Sequence, residues 1–94
     1  MSFAGAIVNV RGVVQGVGFR WWCVRRAREL SIKGYAANLY DGSVEVAMEG
    51  DRGLIEEFIK VLRVGPAYAR VSDIKILWYD KPKGYKDFTI EDKD

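Results

Sequence analysis

The chain has 94 residues, 49% of them apolar and 30% charged, with 15 Lys plus Arg against 13 Asp plus Glu. This is the size of one domain, 1–94, able to bury about two-thirds of its surface, and it is too apolar for a disordered chain. It lacks any apolar run near the roughly 20 residues of a membrane span. A single cysteine, Cys23, excludes an internal disulfide and a cysteine-clustered zinc site, and the absence of histidine excludes imidazole ligation and histidine-based catalysis.

Ala6 to Arg11 alternates, with Ala6, Val8 and Val10 on one face and Asn9 and Arg11 on the other, which predicts a half-buried strand. From Phe19 to about Ile32 the spacing predicts a helix with Phe19, Cys23, Ala27 and Leu30 on one stripe. Arg25, Arg28 and Glu29 take the opposite side, and Gly34 is a natural stop. A strand over Gly34–Asn38 then meets Tyr40-Asp41-Gly42, turn residues with the glycine at a position suited to positive φ. Ser43 to Glu49 alternates again, with Val44, Val46 and Met48 inward and Glu45 and Glu49 toward solvent, so a hairpin is expected.

Asp51 can cap a second helix, whose apolar positions are Leu54, Ile55, Phe58, Val61 and Leu62 and which Gly65-Pro66 ends. Ile74, Ile76 and Trp78 mark a fourth strand. A turn with Lys81, Lys83 and Lys86 in solvent leads to a short last one at Phe88 and Ile90. Phe58, Trp78 and Phe88 read as core. The order β-α-β-β-α-β, with one apolar stripe per helix and one apolar face per strand, predicts an α+β ferredoxin-like plait. Both helices lie on one side of an antiparallel sheet that carries a short extra C-terminal strand. Such a fold leaves function open.

Chemistry concentrates in Val10-Arg-Gly-Val-Val-Gln-Gly-Val-Gly-Phe-Arg20, which leaves a strand and feeds a helix with an arginine in its first turn. Loop amides, a helix N-terminus and a guanidinium fork are the parts of an anion cradle for one phosphoryl group. Spacing alone leaves a plain strand-to-helix turn equally open. The lysine and hydroxyl of a nucleotide-binding P-loop are missing, and Trp21 stands where a dinucleotide motif needs its third glycine. Asn38 and Ser43 by themselves are ordinary turn-flanking residues, and Cys23, in the apolar stripe, reads as an inert buried thiol.

The run from Val10 to Arg20 resembles the first signature of the acylphosphatase family, and Gly34-Tyr-Ala-Ala-Asn38 followed by Asp41-Gly42-Ser43-Val44 resembles its second. The likeness continues through Glu49-Gly50, Gly65-Pro66 and Phe88-x-Ile90, and it implies the same plait. It further implies hydrolysis of the carboxyl–phosphate anhydride of small acyl phosphates, without metal or other cofactor. By resemblance, Arg20 and Asn38 are the catalytic pair. Arg20 binds phosphoryl oxygens beside the amides of Gln15, Gly16, Val17, Gly18 and Phe19; Asn38 orients the attacking water; Ser43 supports. Tyr40 replaces the proline that many microbial members carry in the turn. Trp21 falls among Arg25 and Arg28 and is expected to be part exposed.

A non-catalytic anion- or RNA-binding plait is the alternative, suggested by the basic first helix, although the paired aromatic R-G-F-x-F pattern of RNA-recognition sheets is absent. With no secretory signal at the amino terminus, the expectation is a cytoplasmic monomer with no nucleic-acid or membrane partner.

Overall fold

The computed structural model describes residues 2–92. Its elements are β1 (Phe3–Val13), α1 (Phe19–Glu29), β2 (Lys33–Asn38), β3 (Val44–Asp51), α2 (Arg52–Val64), β4 (Arg70–Tyr79) and β5 (Phe88–Ile90). They form a five-stranded sheet in the order β4-β1-β3-β2-β5. Neighbours are antiparallel except β2 and β5, which run parallel, so the sheet is mixed rather than wholly antiparallel. The reason is geometric. β4 finishes at the end of the sheet where β2 begins, and residues 80–87 cross over the sheet there, so β5 enters in the direction of β2.

Inward-facing Ala6, Val8, Val10, Val44, Val46 and Met48 are fully buried beneath the helices, as alternation predicts. Phe58 of α2 meets Phe88 of β5 edge-on, with centroids 6.0 Å apart, so the short last strand completes the core. Ile59 is buried where Leu54 is exposed, which rotates the apolar stripe of α2 slightly from its expected setting. Asp51 caps that helix, accepting from the Gly53 N–H at 3.1 Å, and Gly65 ends it with φ 76°.

Three expectations change. First, α1 stops at Glu29, because Ser31 takes φ 56° and the Ile32 N–H donates to the Ala27 carbonyl at 2.9 Å while Ser31 N–H reaches Arg28. This is a Schellman ending built on serine. Gly34 lies inside β2 instead, where a β-carbon would collide with the Ala47 carbonyl oxygen of β3. Second, Glu49 is buried. Residues 80–87 pass over its face of the sheet, and its carboxylate accepts from the Tyr79 hydroxyl at 2.6 Å and the Lys83 N–H at 2.8 Å. Third, Trp78 is 38% exposed, since β4 is an edge strand, and it is covered by the Arg52 guanidinium 4.4 Å from its ring centre rather than by core.

Candidate active site

The β1–α1 loop, residues 14–18, is shaped by two left-handed glycines, Gly16 with φ 75° and Gly18 with φ 77°. A β-carbon at either would meet nothing, so what they supply is backbone direction and an unobstructed rim. Gly12, by contrast, belongs to β1 and is pressed against the Arg70 carbonyl oxygen of β4. Phe19, buried and tilted against Trp22 with ring centres 5.3 Å apart, pins the start of α1 to the core.

Helix α1 begins without the usual oxygen cap. Gly18 occupies the N-cap, no side chain accepts from the first turn, and that turn contains no acidic residue. Its leading N–H groups and positive dipole end therefore face outward with Arg20 in the same turn. Among the described residues, the Arg20 side chain forms no ion pair or hydrogen bond, and neither does the Asn38 amide. A donor-rich end of a helix with an uncommitted guanidinium suits an anion.

The second half of the site is the β2–β3 hairpin. Its three loop residues, Tyr40, Asp41 and Gly42, are closed by Gly42 N–H to Leu39 carbonyl at 3.1 Å and Leu39 N–H to Ser43 carbonyl at 2.9 Å, with Gly42 at φ 91°. Asn38 ends β2 opposite Val44, which in turn stands opposite Val10. The Gln15 side chain joins the two halves. Its Nε2 donates to the carbonyl oxygens of Leu39 at 2.8 Å and Ser43 at 2.9 Å, so the glycine loop is fastened to the turn that follows Asn38. The family resemblance pointed to the Gln15 backbone amide, whereas the structure gives its side chain a separate task as a brace.

Ser43 is buried at 2% exposure. Its hydroxyl accepts from Asn9 Nδ2 at 2.9 Å, and it donates to Asp41 Oδ1 at 2.5 Å. Those donations from Ser43, hydroxyl first and then backbone N–H, hold the Asp41 carboxyl below the usual aspartate range, with Arg11 assisting. Cys23 is fully buried, and burial pushes its thiol far up, which keeps it unreactive. Trp22 packs on the core, while Trp21 is 63% exposed, as its place on the wheel predicts. Among the described residues no three His, Cys, Asp or Glu side chains gather to hold a metal ion, and no helix is long and apolar enough to cross a membrane.

Comparison with known proteins agrees with this geometry. The family model Acylphosphatase matches residues 6–90. An acylphosphatase from Caldanaerobacter subterraneus subsp. tengcongensis is 46% identical over 83 residues, which are 88% of this chain and 92% of that one. Another, from Moorella thermoacetica, is 42% identical over 90 residues, 96% of each chain. The crystal structure of acylphosphatase from Bacillus subtilis superposes with a TM-score of 0.92 at 30% identity, covering 94% of this chain and 98% of that one.

Proposed function

Because the chain belongs to the acylphosphatase family and is an enzyme of that activity, we propose that Arg20, Asn38 and the Gln15–Phe19 amides carry the reaction, with Ser43 in support. The observation that carries this assignment is the Gln15 brace. It joins an uncapped helix N-terminus with a free arginine to the turn beside an uncommitted asparagine. The loop amides and Arg20 hold the phosphoryl oxygens and stabilise the charge that spreads over them in the transition state. The Asn38 amide orients a water in line with the leaving group.

As the water oxygen bonds to phosphorus, the bond from phosphorus to the acyl oxygen breaks and the carboxylate departs with the electron pair. Its conjugate acid has a pKa of about 4, so it leaves unprotonated and no general acid is required. A loose transition state asks little nucleophilicity of the water, and a phosphoryl oxygen accepts its proton. These steps need neither histidine nor metal. The face of the sheet away from the helices is a poor surface for a phosphodiester, because residues 80–87 cover part of it and Glu45 and Glu49 place carboxylates there, holding the hydroxyls of Tyr35 and Tyr79. The reading is therefore of a small-molecule enzyme without a nucleic-acid partner, and the cytoplasmic monomer expected from the sequence goes with it.

Hydrolysis of benzoyl phosphate, followed by loss of its ultraviolet absorbance, tests the assignment. Arg20→Ala and Asn38→Ala are each expected to lower kcat/KM by at least about a hundredfold with an unchanged circular dichroism spectrum. EDTA should leave the wild-type rate unaltered. Full activity in Asn38→Ala would remove the water-orienting role, and a strict need for divalent metal would overturn the chemistry.

A further inference from the structure

Four side chains below the hairpin turn form a closed ring of hydrogen bonds. Arg11 Nε donates to Asn9 Oδ1 at 2.9 Å, and Asn9 Nδ2 donates to Ser43 Oγ at 2.9 Å. Ser43 Oγ donates to Asp41 Oδ1 at 2.5 Å, and Asp41 Oδ2 accepts from Arg11 at 3.3 Å. The direction of the ring is fixed by its chemistry. A guanidinium can only donate, so the Asn9 atom facing it is the oxygen, and the amide nitrogen must then point at Ser43. The hydroxyl accepts there and spends its single proton on the carboxylate, which can only accept. No member can turn over without breaking two bonds.

The ring satisfies the buried Ser43 hydroxyl, but its outer half adds little to stability. Arg11 and Asp41 are about half exposed, at 49% and 48%, and an ion pair in that setting contributes little. Its effect is on position. Asn9 and Arg11 are rooted in β1, a central strand, while Ser43 and Asp41 belong to the turn, so the ring ties the turn to the rigid middle of the sheet. Gln15 grips the carbonyls of Leu39 and Ser43 at the two ends of the same turn, from the glycine loop. Asn38 is the residue that enters this clamped turn.

We propose that Asn9, Arg11 and Asp41 are positioning residues for hydrolysis, fixing the hairpin turn and through it the angle at which Asn38 presents its amide to the attacking water. The proposal rests on the role given to Asn38 above. It assigns the ring to the water and not to the phosphoryl group, which the loop amides and Arg20 hold. A displacement of well under an ångström at a water-orienting group is costly to the chemical step while leaving ground-state binding alone.

Steady-state kinetics with benzoyl phosphate, and inorganic phosphate as a competitive inhibitor, provide the test. Asp41→Ala is expected to lower kcat about tenfold, with KM and the phosphate inhibition constant within about twofold of wild type. Asp41→Asn, which keeps an oxygen acceptor for Ser43, should recover kcat to within about threefold of wild type. Arg11→Met, a second cut from the β1 side, should show the same split even if the alanine variant folds poorly. An undiminished kcat in Asp41→Ala and Arg11→Met, beside an inactive Asn38→Ala, overturns the positioning role alone. Equal changes in kcat, KM and phosphate inhibition overturn it as well. An active Asn38→Ala overturns it together with the reading on which it rests.

Discussion

Adjacent tryptophans on α1 show how far a single position departs from its neighbour. Trp22 tilts against Phe19 and packs on the core, whereas Trp21 points outward from the same turn. Trp22→Ala is therefore expected to cost about 2 kcal/mol or more, through lost apolar contact and the space left beside Phe19. Trp21→Ala should stay within about 0.5 kcal/mol of wild type. Urea unfolding midpoints at constant slope would separate them, and equal shifts would contradict the packing described. The exposure of Trp21 was legible from the helical wheel, whereas the packing of Trp22 was not. Nor were the partners of Asn9. Its bond to Ser43 spans 34 positions, and alternation in β1 shows only which side of the sheet it takes. For the same reason Asn38 and Ser43, taken singly, look like turn-flanking residues, and only their match to a motif marks them out.

At the level of elements, the strands and helices follow from periodicity, and their ends depend on single residues. The end of α1 is set by Ser31 in a left-handed conformation, a choice that glycine makes at less cost and that no local pattern announces. Ser31→Gly is expected to stabilise the protein by about 0.5–1 kcal/mol, the relief of that strain less the extra chain entropy of glycine. Thermal unfolding monitored by circular dichroism would register it, and a lower Tm would show that the serine is not strained. The start of α1 is likewise incomplete as a helix terminus, in contrast to the Asp51 cap of α2. Local rules for capping fail there, as the anion site proposed for that turn requires. β3 teaches the complementary lesson. Alternation separated its two faces correctly, yet it could not show that residues 80–87 would cross over the second one and bury Glu49.

Across the molecule, that crossing gathers Tyr35, Tyr79 and Tyr85 on the face away from the helices, with Tyr35 and Tyr79 hydrogen-bonded to Glu45 and Glu49. Burial raises all three phenols above the ordinary tyrosine value of about 10, and the neighbouring glutamates add to the rise. A phenol whose folded pKa is raised contributes stability that is complete below the unfolded value and declines as pH climbs past it. Unfolding free energy is thus expected to fall above about pH 10, with the phenolate absorbance of these three tyrosines appearing only as the fold is lost. Early, reversible ionisation of Tyr35, Tyr79 and Tyr85 in a folded protein would contradict this. The parallel pairing of β5 with β2 has a further consequence, in the order of events during synthesis. Within the domain β1 precedes β4, which covers its open side, and the Phe58 ring lacks its Phe88 partner until the region around residue 90 is made. The core of this domain therefore cannot be completed until nearly all of residues 3–90 have been made, however early its hairpin and helices form.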